Sequence, residues 1–409
     1  MNLNYKKLVQ FDLLNDAEAK IKQNQEKCFE FLSTFHNIAA ADKFIKDCPS
    51  FPDSNKSIIR DELVSAIGST LAIEGIVIKG EDIEKTIDKQ NSGRRPHQKQ
   101  QEIHTLNSQN VYNYIQNTVR ENKGEFVYKE EHIIKIHKLF TANIDYVGNQ
   151  PGKYRNMSAF FGDNPRRKSL CENYEDIYMA MGNFINWLNQ KNEGLLTGNI
   201  IAKAIMAHYY LAEIHPFGDG NGRTARAVEA MVLYANKINP YCFWSLANFW
   251  NMYRNDYISC LGEIRDTCDC LEFLIWGAKG YLEEIQRIKW RVLKKVKQLM
   301  LQDYTQYLYG SKNEQPPEKK INERIVGVLF LLTHSDKILL DKLRSSPGYK
   351  SLYHHISGMT QNRDFSKMKS LKLIRISDTG GKVFIEPNYE ILENLEYGDL
   401  PPKNCATCN

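Results

Sequence analysis

Long apolar runs are missing from this chain. No stretch reaches the roughly 20 residues a transmembrane helix needs, and mean hydropathy is -0.50. The opening Met1-Asn-Leu-Asn-Tyr-Lys-Lys has no signal-peptide core. A cytoplasmic location without a membrane partner is the expectation. Cysteine is scarce and odd in number, nine in 409 residues, and too scattered for a disulfide framework. Cys268-Asp-Cys270 and Cys405-Ala-Thr-Cys408 are the only tight pairs. Their spacing suits a zinc cage poorly, so they read as buried or free thiols. A P-loop of the GxxxxGK[ST] type is missing, as are HExxH and His-x-x-x-His spacings. That argues against a Walker-type NTPase and against zinc hydrolysis. Charge of one sign does not dominate either: 54 Lys and Arg against 49 Asp and Glu leave +5. That balance permits nucleic-acid contact without demanding it. Internal repeats and low-complexity blocks are absent as well.

What is present is a helical grammar in a chain long enough for two or three domains. Apolar residues recur at helical spacing up to about residue 47. Cys48-Pro-Ser-Phe-Pro-Asp-Ser breaks that pattern. Ser54 reads as the N-cap of a helix over 56–73, with Ile59, Leu63, Ile67 and Leu71 on one face, ending at Glu74-Gly75. Further helices are expected from Gly80 and over 102–119, 129–140, 174–190, 199–214, 225–235, 243–264 and 271–301. The aromatic stretch 153–161 reads as a hairpin with its turn at 162–165. Residues 310–320 are the best linker. Beyond it, short helices are expected over 321–332, 338–343, 351–359 and 364–370. A hairpin follows over 373–386 around Gly380-Gly381, a pattern resembling a winged helix. The expected organisation is an N-terminal helical region (1–100), a core (101–280), a connecting helix and linker (281–318), a winged-helix-like domain (319–390) and a tail (391–409).

The chemistry concentrates in His215-Pro-Phe-Gly-Asp-Gly-Asn-Gly-Arg-Thr-Ala-Arg226, between two strong helix formers. The loop feeds a helix N-terminus, where free N–H groups and the dipole favour an anion. His215 is suited to act as a general base. Phe217 anchors the loop. Asp219 is a hard ligand for magnesium shared with phosphates. Gly220, Asn221 and Gly222 allow a sharp turn and an anion nest. Arg223 and Arg226, three apart, can reach one polyphosphate. Each piece alone is weak. Joined over twelve positions they suit phosphoryl or nucleotidyl transfer.

These twelve residues resemble the Fic family motif, HxFx(D/E)GNGRxxR, at every defined position. The resemblance covers roughly 56–264. It implies a mainly α fold, a Fic-type helical core with a flap hairpin, beside the small C-terminal winged-helix-like domain. It also implies a protein adenylyltransferase, moving AMP from ATP to a Ser, Thr or Tyr hydroxyl of a target protein, the chain itself included. His215 would deprotonate the hydroxyl and Asp219 would hold magnesium. Gly218, Gly220, Asn221, Gly222 and Arg223 would hold the phosphates, and Arg226 would engage the γ-phosphate. Ser69-Thr-Leu-Ala-Ile-Glu-Gly75, an ordinary helix end on its own, resembles the family's inhibitory (S/T)xxxE(G/N) motif. Thr70 and Glu74 share a helix face, and Glu74 would pair with Arg226 and hold ATP in a non-productive pose. The stretch 151–162 resembles the flap that aligns a target strand. Tyr257 resembles an adenine-site residue, and packing between helices explains it equally well. Family members often dimerise, so a homodimer is among the expected partners. Two other readings stay open: removal of AMP at the same site, and a DNA-binding regulator using 319–390, with Lys367, Lys369, Lys372 and Arg375 as its basic residues.

Overall fold

A computed structural model describes residues 11–48, 52–92, 99–122, 124–144, 150–156, 171, 174–309, 316–335 and 337–393. The chain divides into two compact units, 1–290 and 291–409.

The first unit is helical. Its centre is the antiparallel pair α8 (Ile200–Ile214) and α9 (Asn221–Ala235), buried nearly all round. Ile, Leu, Met and Ala on every face of α8 explain that burial, because such a helix has no polar side to show to water. Asn199 starts α8: its side chain accepts from the backbone N–H of Ile201 and Ala202, the N-cap bond that satisfies otherwise orphaned donors. Its approach loop is held by α1 (Leu13–Gln23), whose buried Glu18 accepts N–H bonds from Leu195, Leu196 and Thr197. Around the pair lie α3 (Pro52–Ile73), α5 (Gln100–Glu121) and α6 (Glu130–Phe140), each packed on α9. The shell also contains α2 (Gln25–Asp47), α4 (Gly80–Asn91), α7 (Tyr174–Asn189), α10 (Leu246–Met252) and α11 (Arg254–Thr267).

Several elements differ from the sequence expectation. Helix α3 begins at Pro52, so Ser54 lies inside it and is not its cap. Proline is tolerated in a first turn, where its missing N–H costs nothing. Helix α9 begins at Asn221, so the second half of the Gly-rich motif is already helical. The expected helix over 243–264 is two, α10 and α11, meeting at Tyr253. The segment 271–301 is part of one helix, α12 (Leu271–Tyr309). Of the aromatic hairpin, only 153–156 fall among the described residues, in non-helical conformation. The rest, 157–162 with its turn, lies outside them.

In the second unit, α13 (Pro316–Ser335) takes up half of the expected linker, with two prolines at its start. It is followed by β1 (Ile338–Leu339), α14 (Leu340–Ser345), α15 (Pro347–Leu352), α16 (Gly358–Ser370), β2 (Ile374–Thr379) and β3 (Lys382–Pro387). Ile338 and Leu339 pair with Ile385 and Phe384, so this stretch starts as a strand where a helix was expected. The expected helix over 351–359 is also displaced: α15 stops at Leu352 and α16 starts at Gly358. Ser346 and Ser357 are their N-caps, accepting from Tyr349 and Thr360 N–H. The hairpin around Gly380-Gly381 forms with Ile376 opposite Ile385, and the sheet order is β1-β3-β2. Ile325, Leu329, Leu343, Phe365, Met368 and Ile385 are among the residues of a core of its own. Among the described residues, no helix is long and apolar enough to cross a membrane.

Candidate active site

The loop between α8 and α9 is shaped by its own side chains. His215 ends α8 in the left-handed region, φ 49, a conformation that costs a non-glycine residue of order 1–3 kcal/mol and persists only where its surroundings fix it. Three carbonyls in a row are fixed by Arg155. Its Nε donates to His215 O at 2.7 Å, its guanidinium reaches Ile214 O at 3.5 Å, and its backbone N–H donates to Pro216 O at 3.0 Å. The same guanidinium donates to Cys171 O at 2.7 Å. Phe217 is fully buried and stacks on His137, ring centroids 3.7 Å apart and planes within 2°. The His137 Nδ1 accepts from Gly152 N–H at 2.9 Å, so its Nε2 carries the hydrogen donated to Asp219 O at 2.8 Å. His137 thus ties α6, the Gly152 turn and the loop together. Burial holds its imidazole down to about 4, against the Asp219 carbonyl, which pulls it up.

Asn221 is 2% exposed. Its side chain accepts from Phe217 N–H at 2.9 Å and donates to Phe217 O at 2.8 Å. One donor and one acceptor position of this amide thus close the loop. Gly220 has φ +77, and a Cβ there would lie 3.1 Å from the Thr141 methyl. Gly218 sits at the exposed tip. The N-terminal turn of α9 then points its backbone donors at whatever lies over the loop.

The two arginines stand very differently. Arg223 is 2% exposed, donates to Asp219 Oδ2 at 2.8 Å, and leaves Nε and the other terminal nitrogen with no partner among the described residues. Unpartnered buried donors cost about 1–3 kcal/mol each, more when charged, so these two nitrogens call for an explanation. Arg226, 3% exposed, is filled by protein. Its Nε donates to Thr70 Oγ1 at 2.9 Å; its terminal nitrogen donates to Thr70 O at 3.0 Å and to Glu74 Oε1 at 2.7 Å. Thr70 and Glu74 come from the end of α3, which Gly75 closes at φ +83. Glu74 approaches through a gap that Gly222 leaves: a Cβ at 222 would lie 2.3 Å from its Oε1.

His215 faces this anion-seeking wall. Its Nδ1 bonds the Ala212 carbonyl at 3.2 Å. A carbonyl only accepts, so Nδ1 carries the hydrogen and Nε2 the lone pair. Burial brings the imidazole down to about 4. The Ala212 carbonyl and Glu74 oppose this, while Arg155 and Arg265 add to it. At neutral pH it is a neutral base.

Tyr257 is 3% exposed. Its hydroxyl meets His208 Nε2 at 2.7 Å, and its ring packs against Trp250 and His208, centroids 5.2 and 5.5 Å away. Sequence reasoning named neither His137 nor Arg155 as a site residue, although both lie in segments it read as helix and flap. It also missed His104 on α5. Burial lowers that imidazole, with Arg223 adding to the effect and Asp219 opposing it, and its Nδ1 is buried without a partner among the described residues. No sequence signal distinguishes these three from ordinary core residues.

Residues 127–233 match the family model described as Fic/DOC. Among curated proteins, the chain is 33% identical over 110 residues to a protein named protein adenylyltransferase Fic from Aedes aegypti, covering 27% of this chain and 20% of that one. It is 28% identical over 155 residues to protein adenylyltransferase fic-1 of Caenorhabditis elegans, covering 38% and 27%. The matches thus span about a quarter of those relatives' length. A Fic family protein from Desulfovibrio desulfuricans has a similar fold: TM-score 0.51 over 87% of this chain and 95% of that one, at 15% identity.

Proposed function

We propose that the chain is a protein adenylyltransferase, transferring AMP from ATP to a hydroxyl side chain of a target protein, and that Glu74 on Arg226 holds it off. One observation carries this most: Arg223, a buried guanidinium with two nitrogens unpartnered among the described residues, in the first turn of α9. We read that as a phosphate site, on the same loop-and-helix unit as the His215 imidazole. The matched family region and the relatives' names support the same reading.

In this reading His215 Nε2 takes the proton of the incoming hydroxyl as its oxygen attacks the α-phosphorus. The bond to the bridging oxygen breaks and diphosphate leaves. Nδ1–H on Ala212 O keeps the ring in the required tautomer and orientation. Arg223 and the α9 amides neutralise the phosphates, and a preorganised donor of this kind contributes about 3–4 kcal/mol. The donor set fits magnesium in one manner only. No group of three or more His, Cys, Asp or Glu side chains gathers to hold a metal among the described residues. A single carboxylate completed by substrate phosphates and water is, however, an ordinary magnesium arrangement. Asp219, with a side chain 39% exposed, would hold the ion, whose contribution when bound is charge neutralisation on the phosphates.

Glu74 occupies the nitrogen of Arg226 that a γ-phosphate would take. The test is transfer of label from ATP labelled at the α-phosphate, with magnesium and cell lysate. Glu74→Gly should label protein strongly, the natural chain weakly, and His215→Ala not at all. Equal labelling by the natural chain and Glu74→Gly would remove the inhibitory reading. No α-label from any variant, with release of AMP from a modified protein instead, would put the reaction in the opposite direction.

The second unit's element order, helix, strand, helices, hairpin, we read as a winged helix. Salt-dependent duplex binding by the full chain would give it a nucleic-acid role.

A further inference from the structure

Helix α3 carries a second polar stripe beside the one that ends at Glu74. Glu62, Ser65, Ser69 and Ile73 follow one another at spacings of three and four, so they share one face. Helices α10, α11 and α12 hold this stripe by side-chain bonds. Arg287 of α12 grips the Glu62 carboxylate with both terminal nitrogens, at 2.6 Å each. Its Nη2 also donates to Glu284 Oε2, one turn back on α12, at 2.6 Å. Asn248 of α10 donates to that same Glu284 oxygen at 3.2 Å. Its own Oδ1 accepts from the hydroxyls of Ser65 and Ser69 on α3, at 3.0 Å each. A carboxylate only accepts, so the amide nitrogen faces Glu284 and the amide oxygen faces the two serines. Arg254 of α11 donates through Nε to the Ile73 carbonyl at 2.8 Å. Glu62 is fully buried and Ser69 nearly so.

We infer that Asn248 and Arg287 are positioning residues of the inhibitory contact, fixing the register and rotation of α3 at which Glu74 reaches Arg226. The inference rests on the autoinhibited adenylyl-transfer reading of the site. Thr70 and Glu74 each follow by one position a residue of the held stripe, Ser69 and Ile73, a turn of about 100° around the helix axis. The bonds of Arg226 to Thr70 and Glu74 and those of the stripe therefore grip the same two turns from neighbouring sides. A slip of α3 by one residue would carry Glu74 about 1.5 Å along the axis and about 100° around it, taking its carboxylate off the guanidinium. Packing of α3 on α10 does not by itself prevent that slip, because apolar burial is non-directional. Hydrogen bonds weaken steeply when misaligned, so they do. A buried ion pair such as Glu62–Arg287 is weak as a source of net stability and better suited to setting register. Glu62 lies about 18 Å along the helix from Glu74. The ion pair thus fixes the far part of α3, and Asn248 the part next to the contact.

The experiment pairs two measurements on the full chain: transfer of label from magnesium-ATP labelled at the α-phosphate, with lysate, and hydrogen exchange of the backbone amides. The variants are Ser65→Ala with Ser69→Ala, Asn248→Ala, and Arg287→Lys, which keeps the charge without the two-pronged grip. Each is made in the natural chain and in Glu74→Gly. Alanine is the better helix former, so a looser α3 in the serine variant reflects the lost bonds alone. All three should raise labelling by the natural chain roughly fivefold, the worth of two modest hydrogen bonds. They should add nothing in Glu74→Gly, where the contact they position is already gone. Amides of α3 over 66–76 should exchange faster by a similar factor while those of α8 stay as they were. Unchanged exchange in α3 would overturn the inference. So would labelling that rises equally in both backgrounds, stays level in the natural chain, or falls in both, the last being the mark of a merely structural role. A Glu74→Gly protein that labels nothing, with α3 loosened all the same, would strike the adenylyl-transfer reading and keep the hold on α3.

Discussion

Arg223 and Arg226 lie one turn apart on α9, both 2–3% exposed, and their surroundings are opposites. Arg226 is met by Thr70 and Glu74. Arg223 has one carboxylate and two nitrogens without partners among the described residues. One guanidinium is engaged by protein through Thr70 and Glu74, the other through a single carboxylate among the described residues. The same residue type on the same helix face therefore serves two purposes, which the partner helices decide. Helix α3 covers one arginine with its C-terminal turn. The other lies on the glycine-loop side, where Asp219 is its hydrogen-bond partner.

Stability measurements would break this comparison most sharply. Arg226→Met strips Thr70 and Glu74 of their donor and should lower the melting temperature of the chain by several degrees, since breaking a buried ion pair costs about 3–5 kcal/mol. Arg223→Met removes unsatisfied buried charge and should leave the melting temperature unchanged or raise it, because an apolar group of similar shape relieves that cost. The same Arg223 variant, placed with Glu74→Gly, should lose nucleotide binding by about a hundredfold. Melting curves in which both substitutions destabilise equally would mean that Arg223 is as satisfied as its neighbour.

Acid sensitivity sharpens the comparison from the side of the base. His215 is held down to about 4, chiefly by burial, while Glu74 pulls it up. The base works in its neutral form, which persists at every pH above that value. An imidazole at its ordinary 6.5 would be mostly protonated at pH 5 and lose activity about thirtyfold. The Glu74→Gly protein should instead keep most of its labelling rate at pH 5, with its acid limb further down, because the carboxylate that raised His215 has gone. A rate profile with its acid limb at 6.5 would show that the imidazole sits in water.

Much of this was legible in the residues. The motif helix and the Gly380-Gly381 hairpin follow from local spacing, a rule that operates within a few turns of chain; the Thr70–Glu74 pair is singled out only by its resemblance to a family motif. What was not legible depends on distant segments. Ile338–Leu339 pairs with β3 some fifty residues on, so a short apolar run there cannot declare itself strand or helix alone. The bonds that the Asn221 amide makes to Phe217 N–H and O are not foreseeable from its neighbours in sequence. Arg155 and His137 acquire their meaning only when the loop folds onto them. Tyr257 is open to two readings in the sequence, adenine contact and helix packing, and its bond to His208 could not be foreseen from either.

The gentlest intervention tests whether Glu74 reaches Arg226 because a glycine lets it. Space, not backbone conformation, is at issue at position 222. A Cβ there would meet Glu74 Oε1 at 2.3 Å and the Arg226 guanidinium at 3.2 Å. The carboxylate is the far end of a flexible side chain at the rim, so it is the group that gives way, and Arg226 keeps its bonds to Thr70. Gly222→Ala should therefore loosen one charged contact worth about 1–2 kcal/mol and raise self-labelling severalfold over the natural chain, below the level of Glu74→Gly. In the double variant the alanine should add nothing, because its target is gone, and any loss there measures how far the methyl crowds the phosphates. Should Gly222→Ala label no better than the natural chain while the double variant matches Glu74→Gly, the carboxylate has another route to the arginine and the glycine is not what admits it.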